Sequence, residues 1–226
     1  MTIIPVLEII NLTVVYNLGT HYEVVALKDF SLSVYKGEVV VITGGNGSGK
    51  STLLRAISGT IPIKSGKILI NGTDITNWSA NRRAKYLGQV YQDTMLGTCP
   101  NLTIQENFEL TNINKWWMPI PYSLRLDIRQ IDTIKKIGLM LEGRIANIIN
   151  MLSGGQRQAI AVCLAFEIPK LILLFDEFTS ALDNKTVGNV LKFTFENAVI
   201  RNTTLLLVMH NTKDIQGYNY REIILL

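Results

Sequence analysis

At 226 residues, 47% of them apolar, the chain is long enough to bury a substantial core as one large domain or two small ones. Its net charge of +4 is weak, and its one dense basic cluster, Arg82-Arg83-Ala84-Lys85, reads as a solvated helix face rather than a nucleic-acid patch. No apolar run approaches the roughly 20 residues that span a bilayer, and Met1 to Pro5 lacks a secretory start, so a cytosolic chain that meets a membrane only through a partner is expected.

Leu7 to Val15 is β-rich and ends at Tyr16, where Asn17-Leu18-Gly19-Thr20 breaks it. Phe30, Leu32 and Val34 then alternate with Ser31, Ser33 and Tyr35, the pattern of a half-buried strand. Lys36-Gly37 turns the chain into Glu38 to Thr43, a buried strand that runs into Gly44-Gly45-Asn46-Gly47-Ser48-Gly49-Lys50-Ser51-Thr52. That stretch fits the phosphate-binding P-loop: Gly, four residues, then Gly-Lys-Ser. Its glycines let successive N–H groups turn inward toward an anion. Lys50 brings a cation to the β- and γ-phosphates, and Ser51 offers a hydroxyl to Mg²⁺. Leu53 to Ile57 continues as a helix with its positive end toward the phosphates, so strand, loop and helix are all in place. A nucleoside triphosphate site is expected. Ile68-Leu69-Ile70 is another strand, closed by the hairpin signal Asn71-Gly72, which makes the first part an antiparallel layer beside the strand feeding the loop.

Leu87 to Tyr91 reads as a strand ending at Gln92-Asp93. From Met95 to about Ala165 the pattern changes to helices with polar interruptions, a helical insertion. Cys99 and Cys163 have no metal spacing and are expected as neutral thiols. Trp116-Trp117-Met118 falls in the insertion; adjacent indoles on a helix point about 100° apart, so one is expected to be exposed and to be covered by a partner. Leu152-Ser153-Gly154-Gly155-Gln156 precedes the apolar helix 159–166. Ser153 and Gln156 form a capping box, and the paired glycines bare N–H groups at a positive helix end, a second anion site. Leu171 to Phe175 is continuously apolar, as a sheet covered on both faces demands. Asp176-Glu177 follows at its carboxyl end, where such sheets bind ligands. Asp176 suits Mg²⁺ through water, and Glu177 suits the base acting on an attacking water. His210 stands past the apolar strand Thr204 to Val208, placed for a γ-phosphate contact.

Together these residues resemble an ABC-type ATPase domain over nearly the whole chain. The P-loop, Gln92 of a Q-loop, the signature Leu152 to Gln156, the Asp176-Glu177 pair and His210 occur in that family's order. Ser180-Ala181-Leu182-Asp183 is similar to its D-loop, and Tyr16 stands where the family stacks an aromatic on adenine. The resemblance implies an α/β fold: a mixed core sheet with an antiparallel β layer from 1–94 and 166–226, and a helical subdomain at 95–165. It implies ATP and Mg²⁺, with Ser51, Gln92 and Asp176 at the ion and Glu177, His210 and Gln92 as the catalytic set. Nucleotide contacts fall to Tyr16, the loop 44–52, Ser153, Gly154, Gly155, Gln156 and Asp183. It also implies two chains head to tail around ATP, a membrane permease, a substrate-binding protein, and a peripheral place on the cytoplasmic face of a bacterial membrane.

Gln92 to Asn107 and His210 to Asp214 look like the ATP-binding subunits of one importer group, often described as tryptophan/tyrosine-type uptake systems. A stand-alone ATPase driving an exporter or a cell-envelope complex shares all the ATPase motifs and stays open. A ribosome-associated ABC ATPase would carry two units or coiled-coil insertions, and a dead regulator would not keep Lys50, Asp176, Glu177 and His210. Gly45 departs from the usual loop pattern, and family members continue beyond the stretch Arg221 to Leu225, so a missing edge strand is expected.

Overall fold

The structure, a computed structural model, describes residues 4–111, 126–180, 182–210 and 212–225. Trp116 and Trp117 lie outside them, and so does the expectation about their exposure. The chain forms two compact units, one of Met1–Gln89, Lys170–Glu177 and Ala198–Leu226, the other of Val90–Pro169 and Phe178–Asn197.

In the first unit, β1 (Leu7–Tyr16), β2 (Val24–Val34), β4 (Ser65–Ile70) and β5 (Thr73–Asp74) make an antiparallel sheet in the order β2-β1-β4-β5. Asn71 and Gly72 join β4 to β5 with φ of 48° and 72's value of 75°, the left-handed pair that a two-residue hairpin needs. A second sheet runs β6-β7-β8-β3-β9, from β6 (Leu87–Val90), β7 (Ile172–Asp176), β8 (Thr204–Val208), β3 (Val39–Gly44) and β9 (Arg221–Leu225). Within it β3 pairs parallel with β8 and β9, and β7 pairs parallel with β8.

Strand periodicity decides where the core sits. Val40, Ile42, Ile172, Leu174, Leu206 and Val208 point into one cluster with Leu7, Ile9, Leu12 and Ile68 of the antiparallel sheet and Leu53, Leu54 and Ile57 of helix α1 (Lys50–Ser58). Their alternates Val41, Leu173, Phe175, Leu205 and Leu207 are buried too, which is why these strands read as unbroken apolar runs. A shift of register between Ile9 and Leu12, with Asn11 at φ 48°, keeps Leu12 and Val14 facing inward.

The basic cluster at 82–85 is not uniformly solvated. Arg83, in the short helix α2 (Ala80–Arg83), is buried and donates to the carbonyls of Ala56, Ile57, Thr76 and Trp78. Two of those carbonyls end α1, where a cation meets the negative pole of the helix. Arg82, by contrast, lies over the Trp78 ring at 3.7 Å.

The second unit holds α3 (Ile104–Thr111), α4 (Ile128–Lys136), α5 (Gly154–Glu167) and most of α6 (Asn184–Arg201). Asp127 and Gln130 cap α4 reciprocally, and Phe108, Ile134, Ile160 and Phe166 are fully or nearly fully buried. Residues 178–197 belong here, whereas the sequence placed 166–226 with the catalytic core. The reason is α6: Phe193 meets Phe166 edge-on at 5.9 Å, and the Asn189 amide donates to Gly138 O.

Candidate active site

The parallel register brings the functional residues of the first unit to one edge. Ile42, Val208 and Asp176 lie side by side in β3, β8 and β7, so the residues just beyond them leave the sheet together. From β3 the chain enters the P-loop, and Gly49 closes it as the N-cap of α1 at φ 93°. A Cβ there would stand 2.5 Å from Ala26 O, so a side chain is excluded on two counts. Lys50 is buried, and its ammonium donates to Gly44 O at 2.9 Å and Gly45 O at 2.8 Å. Those carbonyls occupy the cation in the way a phosphate oxygen would. Ser48 Oγ is buried with no hydrogen-bond partner among the described residues, a polar atom at the loop left for a ligand.

Ser51 Oγ donates to Asp176 Oδ1 at 2.9 Å. Asp176 is nearly fully buried, and desolvation pushes its carboxyl above the usual range. The Ser51 bond pulls the other way, and the neighbouring Glu177 charge adds to the rise. A hydroxyl and a carboxylate in contact are hard oxygen donors, the set that suits a small divalent cation. Glu177 breaks the strand: its φ is 45°, and its N–H donates to Val208 O at 3.1 Å. That turn sets Glu177 Oε2 2.9 Å from His210 Nε2.

Tyr16, Asn46 to Thr52, Glu177 and His210 line one cleft of about 540 Å³, a size ordinary for small-molecule sites. The Tyr16 hydroxyl lies 3.2 Å from Thr52 Oγ1, which fixes the ring beside the start of α1. Sequence reasoning missed Val24, Val25 and Ala26, which also line the cleft. Val24 pairs with Tyr16 across the hairpin, and the two valines are more than half exposed, 55% and 52%. An apolar pair following a polar turn, with no alternation to bury it, was the available signal. The contact of Glu177 with His210 was missed as well, because it depends on β7 and β8 being neighbours.

The other sequence candidates belong to the second unit. Gln92 is exposed, two residues past β6. The carbonyl of its neighbour Tyr91 accepts from Gln158 Nε2 at 3.3 Å. Ser153 and Gln156 form the expected capping box on α5, with bonds of 3.3 and 3.2 Å. Arg157 Nη1 donates to Leu152 O at 2.7 Å. Asp183, expected at the nucleotide, spends both carboxylate oxygens on its own helix. Oδ1 accepts from the N–H groups of Lys185 and Thr186, and Oδ2 from Thr186 Oγ1 at 2.7 Å.

A family model described as "ABC transporter" matches residues 27–180. A tyrosine transport ATP-binding protein of Clostridioides difficile is 37% identical over 199 residues, 88% of this chain and 79% of that protein. The ABC transporter ATP-binding protein YtrE of Bacillus subtilis is 38% identical over 85% of this chain and 82% of its own length. Among solved structures, a dimeric bacterial ABC transporter cassette superposes with a TM-score of 0.82 at 29% identity, covering 97% of this chain and 94% of that one.

Proposed function

This chain belongs to the ABC transporter family as an ATP-binding, ATP-hydrolysing subunit coupled to transmembrane transport, and we propose that it drives a permease importing a small, amino-acid-like solute. The observation carrying the nucleotide chemistry is that the P-loop, Asp176 and the Glu177–His210 pair leave one edge of the parallel sheet together, with the loop, Glu177 and His210 lining one cleft; the import direction rests on the transport relatives.

ATP enters that cleft with its adenine beside Tyr16 and Val24 and its phosphates on the N–H groups of the P-loop. Lys50 exchanges its two carbonyls for phosphate oxygens, a replacement of neutral acceptors by charged ones. Ser51 and Asp176, whose side-chain oxygens lie 2.9 Å apart, would hold Mg²⁺. Bound there, the ion would neutralise charge on the β- and γ-phosphates. Glu177 takes a proton from the water whose oxygen attacks the γ-phosphorus, while the bond to the leaving ADP oxygen breaks. His210, at 2.9 Å, orients that carboxylate.

The relative in solved form is a dimer. For this chain we infer the same arrangement: two copies head to tail, with the N–H groups of Gly154 and Gly155 on one copy closing over ATP held by the other. We infer that the permease is a separate chain and that this one sits peripherally on its cytoplasmic side; among the described residues no helix is long and apolar enough to cross a membrane. A substrate-binding protein completes the importer; the amino-acid-like solute rests on the tyrosine transport relative. The test starts with Glu177→Gln, which keeps the side-chain shape and removes the base. Light scattering should show a monomer without nucleotide and a dimer with ATP; a monomer under both conditions would overturn the sandwich. Membrane vesicles carrying the co-purified permease then decide direction: ATP-dependent movement of solute away from the ATPase side would sink the importer reading.

A further inference from the structure

Gly155 is the second residue of α5, in a helical turn where alanine is the better helix former. A side chain there would crowd the start of α6. A Cβ on Gly155 would lie 3.3 Å from Thr186 Cγ2 and 3.5 Å from Leu182 Cδ2, whereas one on Gly154 would meet nothing within 4 Å. The crowding is therefore specific to one glycine of the pair. Thr186 is itself pinned: it is buried, its Oγ1 donates to Asp183 Oδ2 at 2.7 Å, and its N–H donates to Asp183 Oδ1 at 3.0 Å. It cannot yield by swinging its methyl away without breaking its hydroxyl bond to Asp183.

We propose that Thr186 is a positioning residue that, through its methyl against Gly155 and its hydroxyl on Asp183, locks the first turn of α6 to the first turn of α5. The N–H groups of Gly154 and Gly155 and the segment Leu182-Asp183 then respond to nucleotide as one piece. The inference rests on the reading that the start of α5 closes over the partner copy's ATP.

The contact and the function can be separated with two replacements of Thr186. Serine keeps the hydroxyl and removes the methyl; valine keeps methyl bulk and removes the hydroxyl. Gly155→Ala alone should lower kcat about tenfold, the size typical of a disturbed close contact. Its affinity for a fluorescent ATP analogue as a monomer should not change. Thr186→Ser alone should stay within about threefold of wild type, and Gly155→Ala with Thr186→Ser should return to within about threefold of that. Gly155→Ala with Thr186→Val should remain impaired. If the serine double variant is no faster than Gly155→Ala, the added methyl offends the nucleotide rather than Thr186, and the proposal falls. If melting temperatures show coupling between 155 and 186 but kcat does not, the contact is only structural and the proposal falls as well. The ATP-dependent dimer of the Glu177→Gln chain is the internal reference: its absence would strike the closure reading, while melting-temperature effects that merely add would strike this one alone.

Discussion

The two units use their polar side chains in opposite ways. In the first, the chemical groups bond to one another or to their own loop: Lys50 to two carbonyls, Ser51 to Asp176, Glu177 to His210. Every one of those bonds can be exchanged for a bond to ATP, its ion or water. In the second unit the side chains of the motif are spent on helix ends, Ser153 on α5 and Asp183 on α6. What the starts of α5 and α6 offer outward is backbone. Losing a side chain of the first unit's site should therefore change binding or chemistry in a single chain, and a change at the start of α5 should spare both until two copies meet.

The largest effect expected is on turnover. Glu177→Gln should reduce kcat by about 10² to 10⁴, the usual cost of losing a general base, with ATP affinity within about twofold of wild type. Steady-state hydrolysis and equilibrium titration on the same preparation check it. An unchanged kcat would remove Glu177 from the role and leave the geometry of the first unit without its base.

Next is binding. Lys50→Ala removes a hydrogen bond from a charged donor, worth about 1.5–3 kcal/mol, so Kd for ATP should rise by about 10- to 150-fold. Ser153→Arg, in the second unit, should leave that Kd alone and yet abolish the ATP-dependent dimer of the Glu177→Gln chain. Titration of a fluorescent nucleotide and light scattering separate the two. A monomer Kd that moves with Ser153 would break the contrast between the units.

How far the sequence disclosed this depends on how local each signal is. The strands carrying the site were legible because parallel strands buried on both faces are unbroken apolar runs, and Leu173, Leu174 and Phe175 or Leu205, Leu206 and Leu207 admit few other readings. The P-loop was legible because its glycines, Lys50 and Ser51 are adjacent in the chain. The start of β2 was not, since Val24 and Val25 face the cleft instead of alternating into a core. Nor was α6, where Asn184, Gly188, Asn189 and Asn197 interrupt the apolar period. Arg83 misled for a similar reason: a basic cluster looks solvated until a distant helix end supplies its acceptors. The close approach of Thr186 to Gly155 was hidden too, because only the fold brings the two together.

The smallest effect is also the one that tests the contrast within a single residue type. Asp176 and Asp183 are displaced in opposite directions. Burial raises the carboxyl of Asp176, while the Thr186 hydroxyl and then its N–H lower that of Asp183. For Asp176 the folded state holds the proton more readily than the unfolded state. Its contribution to stability is full below the unfolded value near 4 and is lost as pH rises through the raised folded value. For Asp183 the folded state sheds the proton more readily, so its contribution is present above the unfolded value and is lost as pH falls through the lowered one. At neutral pH Asp176→Asn should therefore raise the melting temperature of the nucleotide-free chain while removing Mg²⁺-dependent turnover. The gain should shrink as the buffer is made acidic. Asp183→Ala should lower the melting temperature at neutral pH, and that loss should shrink on acidification. Melting curves of the three proteins across pH 3 to 8 check both signs. A stabilising Asp183→Ala would show that this carboxylate is held for a ligand, as we propose for Asp176, and not for its helix. A destabilising Asp176→Asn would show that the Ser51 bond outweighs the burial.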